Sequence, residues 1–128
     1  MQRMTAFLLT ALLVGACGKP DLLIGSWSNK QPSGGTTLVF EQDGAFVLTA
    51  QMAVAGTGVV RGLWKRRGDQ LELRFQEKQG FLARFQAFNT DAPVIFEIVT
   101  LDESTFVWKD SRSGAIANYT RVSRDAPS

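Results

Sequence analysis

The sequence lacks histidine and contains a single cysteine, Cys17. Ser-His-Asp and Cys-His nucleophilic catalysis, His-containing zinc sites and haem ligation by histidine all require groups that this chain does not have. A disulfide within the chain is excluded as well, because it needs two cysteines. We therefore expect no cofactor and no metal, and a fold that is stabilised by apolar burial.

The carboxylates offer no alternative catalytic site. Glu41 lies close to Asp43, and Asp102 is next to Glu103, but both pairs fall in predicted turns that water surrounds. General acid-base catalysis needs a carboxyl group that burial or a charged neighbour has tuned. Neither pair has the number of ligands that a calcium loop supplies. We expect a protein that is not an enzyme, without catalytic residues.

A strong charge of either sign is also missing. Lysine and arginine together number 14 and aspartate and glutamate 12, which gives a formal net charge of +2. Loss of Arg3 with the N-terminal segment discussed next would lower this charge to +1. So small an excess creates no strong field directed at phosphate, and we expect no nucleic acid partner.

One apolar run stands out, at the N-terminus. Residues 6–14 are apolar except for Thr10, and they follow Arg3. The run is too short to cross a bilayer, which takes about 20 residues, and it is typical of the hydrophobic region of a secretory signal. It leads through small residues to the cysteine. The stretch Leu13-Val14-Gly15-Ala16-Cys17 resembles the lipobox of bacterial lipoproteins.

This resemblance implies a lipoprotein signal peptide over residues 1–16 and a lipidated tether over residues 17–22. Cys17 would carry a thioether-linked diacylglycerol and an N-acyl chain such as palmitate, and each buried CH₂ adds about 0.8 kcal/mol to membrane affinity. Gly18 occupies the position where aspartate would retain a Gram-negative lipoprotein at the inner membrane. The resemblance thus implies an exported protein, anchored in the outer membrane and facing the periplasm. The alternatives for Cys17 are a buried free thiol and a signal peptide that merely happens to contain a cysteine.

Beyond the tether, apolar and polar residues alternate with a period of two, and no helical period of useful length occurs. Leu71, Leu73 and Phe75, for example, are separated by polar residues, as in a half-buried strand. This pattern predicts eight or nine short strands joined by tight turns, as in an antiparallel up-and-down barrel or a sandwich. The strands with clear boundaries are residues 36–41, 46–52, 59–66, 71–76, 81–88, 94–101, 105–109 and 116–122. Residues 123–128 are predicted to be a frayed tail.

Several short motifs follow one another in a characteristic order. They are Gly25-Ser26-Trp27, Phe40-x-x-Asp43-Gly44-x-Phe46, Gly62-Leu63-Trp64 and a terminal Tyr119-Thr120-Arg121. In this order they resemble the small lipocalin-like domains of bacterial lipoproteins, which are calycin-type β-barrels. The resemblance implies an all-β fold, a small antiparallel up-and-down barrel of about eight strands over residues 23–122. It also implies that Trp27 packs under Arg121 and closes one end of the barrel, as a structural pair of about 0.5 to 2 kcal/mol.

The residues predicted to face inward are mostly aromatic or branched. They are Leu38, Phe40, Phe46, Leu48, Val60, Trp64, Leu71, Leu73, Phe75, Phe81 and Phe85. An eight-stranded barrel can be filled by its own side chains or can hold one small ligand. The lipocalin resemblance implies a small apolar ligand or acyl chain, which would contact Phe46, Trp64, Phe75 and Phe85. A filled barrel would instead favour a protein-interaction or inhibitor module of the cell envelope, and both functions stay open at this point.

Overall fold

The computed structural model describes residues 21–123, which form eight strands in one closed barrel. The predicted signal peptide, Cys17, most of the tether and the tail from residue 124 onward lie outside the described residues. Each strand pairs antiparallel with the next, and β8 pairs back with β1. The strands are β1 (Gly25–Gln31), β2 (Gly34–Phe40), β3 (Ala45–Met52), β4 (Gly56–Arg67), β5 (Gln70–Gly80), β6 (Val94–Leu101), β7 (Thr105–Asp110) and β8 (Ile116–Ser123). The up-and-down barrel is confirmed, and the sandwich is excluded.

The period-two alternation produces these strands because one face of each must be buried. In β5, Leu71, Leu73 and Phe75 are buried inside the barrel, while the residues between them face outward. The hairpin between β2 and β3 is held by Asp43, whose carboxylate accepts the Ala45 N–H at 3.0 Å. Gly44 follows with a φ of 97°, a conformation that other residues rarely adopt. The turn chemistry seen in the sequence thus sets the register of this hairpin.

The predicted strand over residues 81–88 is wrong. Strand β5 continues to Gly80, where a φ of 70° turns the chain aside. Two short 3₁₀ turns follow, at Phe81–Arg84 and Gln86–Phe88. The large apolar side chains of this segment, Phe81, Leu82, Phe85 and Phe88, do not keep to alternate positions, and Phe85 lies in extended backbone between the two turns. Phe85 consequently does not belong to an inward strand face and is 50% exposed.

The two ends of the barrel differ. One end receives the chain at residues 21–24 and contains the β2–β3, β4–β5 and β6–β7 turns. We call it the closed end, because Leu23 and Trp27 plug it and are fully buried. The opposite end, which we call the open end, contains the other turns and the two 3₁₀ turns. Strand β6 pairs with β5 only along Gln70–Leu73, so the seam between these strands is open above Leu73 toward this end.

Candidate ligand cavity at the open end

The closed end is sealed by Trp27 and Arg121. The guanidinium carbon of Arg121 lies 4.1 Å from the centroid of the Trp27 ring. Arg121 also donates hydrogen bonds to the backbone carbonyls of Leu22, Ile24 and Glu103. The Trp27 indole N–H donates to the Leu23 carbonyl at 2.9 Å. The contact expected from the lipocalin resemblance is therefore present, and it ties the entering chain to the last strand.

A cavity of about 270 Å³ occupies the other half of the barrel and opens at the open end. Its walls come from β2, β3, β5, β6, β7, β8 and the 3₁₀ turns. The lining residues are mostly apolar: Leu48, Ala50, Met52, Leu73, Phe75, Phe81, Leu82, Phe85, Ala87, Phe88, Phe96 and Trp108, with Thr36, Asp110, Arg112 and Tyr119 as the polar ones. Apolar walls with a few polar groups are typical of small-molecule sites, whose volumes begin at about 300 Å³.

Aromatic rings make the cavity walls stiff. Trp108 stacks on Phe96 with ring centroids 4.1 Å apart, and it lies edge-on to Tyr119 at 5.6 Å. Phe88, from the second 3₁₀ turn, lies edge-on to Phe75 at 5.1 Å. Such contacts hold the rings in fixed orientations. The cavity is thus bounded by packed groups and is not a loosely filled space.

The mouth of the cavity contains one ion pair. Arg112, in the β7–β8 turn, contacts both carboxylate oxygens of Asp110 at 2.9 and 3.1 Å. Its remaining nitrogen donates to the Ala87 carbonyl at 2.8 Å, which ties this turn to the 3₁₀ turns. The Arg112 hydrogen bond holds the pKa of the Asp110 carboxyl below its ordinary value of 3.8. The pair therefore stays ionised at neutral pH, and each charge neutralises the other.

The cavity also contains the chain's one tyrosine, Tyr119. Burial raises the pKa of Tyr119 from 10.0 to about 12, although a hydrogen bond from the Trp108 indole counteracts this. The hydroxyl is thus a neutral group in a desolvated wall.

We expect the phenolate absorbance of the folded protein to appear with a midpoint near pH 12, against about 10 in denaturant. Because the folded pKa is raised, the stabilisation is complete below pH 10 and is lost as the pH rises through about 12. A spectrophotometric titration of this single tyrosine measures the effect directly. A native midpoint near 10 would show that the hydroxyl is solvated.

The structure divides the four predicted ligand residues between two places. Phe75 and Phe85 line the cavity. Phe46 is buried behind Phe75, with ring centroids 6.0 Å apart, and does not line the cavity. Trp64 lies toward the closed end, where its indole N–H donates to the Glu41 carbonyl at 2.8 Å.

Eleven of the sixteen lining residues are absent from the predicted inward series, among them Leu82, Phe88, Asp110 and Arg112. Leu82 and Phe88 lie off the alternating pattern, and nothing local marks the ion pair. Tyr119 was noticed as part of a motif and not as a cavity residue. It shares a strand face with Arg121, two positions later, and this alternation could have placed it inside.

A second depression, of about 360 Å³, lies on the outer face of β1, β2 and β3. Its lining is polar and includes Ser28, Lys30, Thr37, Thr49 and Gln51. These groups face solvent on the outside of the sheet, without an apolar enclosure. This depression is larger than the cavity at the open end, but it is the poorer ligand site. An outer groove lacks the apolar walls that exclude water from a ligand.

Within residues 21–123, no three or more aspartate, glutamate, cysteine or histidine side chains are grouped so that they could hold a metal ion. In the same range, no helix has the length and apolar character required to cross a membrane.

The fold is shared with solved proteins from Bacteroides. A lipocalin-like protein from Bacteroides uniformis ATCC 8492 superposes with a TM-score of 0.59, covering 80% of this chain and 100% of its own, at 12% identity. An uncharacterized protein from Bacteroides eggerthii DSM 20697 gives 0.55, covering 78% and 99%, at 10% identity. The likeness concerns the fold alone and confirms a lipocalin-like barrel. No protein-family model and no curated protein matches the chain.

Proposed function

We propose that this chain is a membrane-anchored bacterial lipoprotein whose lipocalin-like barrel binds a small apolar ligand or acyl chain, without catalysing a reaction. The observation that carries the proposal is the cavity at the open end, with its apolar walls and an opening to solvent. Burial of an apolar molecule there gains about 25 cal/mol per Å² of surface removed from water. The lipocalin-like neighbours support a ligand-binding barrel.

The size of the cavity limits the ligand. Its 270 Å³ correspond to about nine water molecules at about 30 Å³ each. A short hydrocarbon fits within this volume, whereas a long acyl chain would leave part of its length at the mouth. Phe85 is half-exposed there and offers an apolar surface to such a protruding part. We therefore propose a small ligand, or one end of a longer chain.

The polar groups of the cavity support binding better than catalysis. Asp110 and Arg112 neutralise each other at the mouth, and the Tyr119 hydroxyl holds its proton because burial raises its pKa to about 12. General acid-base chemistry near neutrality favours a group whose pKa lies near the operating pH. These groups can orient a ligand, but they do not provide an acid or base that exchanges its proton near neutral pH.

Anchoring would place the cavity away from the membrane. Asp21 forms an ion pair with Arg66 at the closed end, where the described chain begins. Cys17 lies four positions earlier, so the connecting chain reaches at most about 14 Å when fully extended. Lipidation at Cys17 would thus hold the closed end near the bilayer and turn the open end toward the periplasm. A ligand would then enter from the periplasmic side.

The alternative function, an interaction or inhibitor module, predicts a filled barrel. Only the closed half fits that prediction, since packed rings fill it. Exposed apolar residues at the open end, with Val54 and Ile116 as examples, do offer a surface for an envelope protein. The cavity favours ligand binding as the first function, and the exposed rim keeps a protein partner as the second.

Binding can be tested with N-phenyl-1-naphthylamine, a neutral apolar dye whose fluorescence rises in apolar surroundings. The full-length chain with Cys17→Ala avoids detergent, which would compete for the cavity. We expect saturable binding of one dye molecule per barrel. A signal that rises linearly without saturation, or that is absent, would overturn the ligand-binding proposal.

The anchor can be tested separately in cells. We expect the wild-type protein in the membrane fraction and the Cys17→Ala variant in the soluble fraction, because acyl chains on Cys17 provide the membrane affinity. Fractionation with immunodetection measures this, and Thr10→Val, a change within the predicted signal that spares the cysteine, serves as the control. Identical membrane association of wild type and Cys17→Ala would contradict lipidation.

A further inference from the structure

The hydroxyl group of Tyr119 lies in the cavity wall, where its proton can reach a ligand. Tyr119 is only 6% exposed and lines the cavity. Its oxygen accepts from the indole N–H of Trp108. Within the described residues 21–123, Trp108 is the one hydrogen-bond partner of the hydroxyl, and because it acts as donor, it leaves the tyrosine proton for another acceptor. The described part of the barrel therefore presents a donor beside a space that a ligand can enter.

An unsatisfied buried donor is unusual in a folded protein. The large majority of buried polar groups have a partner, and an exception calls for a physical explanation such as a bound molecule. A phenylalanine at this position would provide the same ring for packing against Phe106, whose centroid lies 5.8 Å away. The hydrogen bond from the Trp108 indole gives the hydroxyl oxygen a partner, and the hydroxyl proton is left for an acceptor on a ligand.

The charges around the cavity decide which kind of acceptor fits. Asp110 and Arg112 are the charged lining residues, and they pair with each other at the mouth. A carboxylate beside Tyr119 would therefore be buried without a cation of its own, which is strongly unfavourable. A carbonyl, ester, ether or alcohol oxygen has no such cost, because it accepts the tyrosine proton while neutral.

We propose that the ligand of this barrel carries a neutral oxygen acceptor on the part that lies within the cavity, and that Tyr119 selects for it over plain hydrocarbon. This inference rests on the proposed function, since it requires a ligand in the cavity. The ligand class is thus an oxygen-bearing apolar compound, such as a ketone, ester or fatty alcohol. An ionised fatty acid buried with its carboxylate foremost is disfavoured.

The test compares two probes of equal carbon number, 2-nonanone and n-nonane, in the full-length Cys17→Ala protein. Each probe is titrated against bound N-phenyl-1-naphthylamine. Its dissociation constant is measured from the displacement of the dye, once in the protein with Tyr119 and once in the Tyr119→Phe variant. We expect the variant to weaken the binding of 2-nonanone by about three- to tenfold, the range for one net hydrogen bond, and to leave the binding of n-nonane unchanged. Thr37→Val removes a hydroxyl on the outer face of β2, in the polar depression and away from the cavity, and is expected to change neither constant.

The outcomes separate the two proposals. If Tyr119→Phe weakens the binding of both probes equally, or leaves the binding of 2-nonanone unchanged, the role of Tyr119 is overturned while the cavity still binds the dye. Weakening of 2-nonanone binding by Thr37→Val as large as that by Tyr119→Phe would also overturn it. If neither probe displaces the dye, or the dye does not bind, the proposed function fails together with this inference.

A second measurement needs no variant at position 119. The chain contains one tyrosine, so tyrosine labelled with ¹³C at Cζ gives a single NMR resonance that responds to hydrogen bonding of the hydroxyl. We expect this resonance to shift when 2-nonanone binds and to shift much less with n-nonane. Equal shifts for the two probes at saturation would contradict the inference, even if Tyr119→Phe did not fold.

Discussion

Replacing Ala50 with phenylalanine is expected to weaken binding of N-phenyl-1-naphthylamine by about tenfold or more, because the added ring occupies volume that the ligand needs. Ala50 is buried on the inner face of β3 and lines the cavity. The new ring would extend into the cavity, whose lining also includes Phe75, Phe81 and Phe88. We therefore expect the free energy of unfolding to fall by no more than about 1 to 3 kcal/mol, the range for a small-to-large core substitution. Dye titration and chemical denaturation measure the two effects.

Thr49→Phe is the matched control for this change. Thr49 precedes Ala50 on β3 and lies on the outer face, beside the polar depression. The same ring added there stays outside the barrel, so dye binding should match that of the wild type. Undiminished binding to the Ala50→Phe variant would show that the dye occupies some other part of the protein.

Replacing Trp27 with alanine should destabilise the barrel by about 3 to 5 kcal/mol, the usual range for loss of a large buried aromatic side chain. Trp27 has no exposed surface, and its ring lies 5.5 Å from that of Phe106. The change also removes the surface on which Arg121 rests and the hydrogen bond to the Leu23 carbonyl. Since small domains are stable by only about 5 to 15 kcal/mol, this loss is a large fraction of the total. Urea denaturation followed by circular dichroism provides the value.

The Trp27→Phe variant distinguishes the contribution of ring packing from that of the indole N–H hydrogen bond. It retains much of the apolar contact with Phe106 but leaves the Leu23 carbonyl without this donor. We expect a smaller loss, about 1 to 3 kcal/mol, from one unsatisfied buried group. A Trp27→Ala variant that loses less than about 1 kcal/mol would contradict the structural role of the pair, because it falls below the range for cavity formation.

The strands were predictable because burial on one face imposes a period of two. Strand β5 shows this well, since Leu71, Leu73 and Phe75 are the buried positions in both sequence and structure. Closure into a barrel followed from the order of the short motifs and not from any one strand. Local pattern thus predicts the elements, while the family resemblance was needed to predict their arrangement.

The segment after β5 was mispredicted for a physical reason. Phe81 and Phe85 fit an alternating pattern, but they fit a helical one as well, and a short apolar run does not distinguish the two. Gly80 decides the outcome, because its positive φ directs the chain out of the sheet. A Cβ at that position would lie 2.1 Å from the Thr57 carbonyl oxygen, so the turn depends on a close backbone approach that the sequence does not reveal.

The cavity residues were predictable only in part. Alternation indicates which side chains face inward, but it does not indicate at which height along the barrel they lie. Phe46 and Phe75 both face inward, yet only Phe75 reaches the cavity. Arg112 was not predictable from local pattern, because its partner atom in Ala87 lies 25 positions away in sequence. Such contacts depend on strand register and loop paths that form only in the folded chain.

The barrel divides its two tasks between its ends. At the closed end, Phe106 packs edge to face against Phe40 with centroids 6.0 Å apart, and it packs in a tilted arrangement against Trp27 at 5.5 Å. At the open end, the walls leave room for a ligand. Substitutions at the closed end should therefore mainly change stability, and substitutions within the cavity should mainly change binding, with a smaller effect on stability. Ala50 and Trp27 represent these two classes.

Native mass spectrometry tests the central claim, that the open-end cavity holds a small molecule, most directly. The full-length Cys17→Ala protein is purified from cells without detergent, measured intact, and then denatured to release any bound compound. We predict a single neutral, oxygen-bearing apolar compound bound to the protein, and a much smaller bound fraction in the Ala50→Phe variant. Protein that carries no compound and also fails to take up 2-nonanone would contradict the claim.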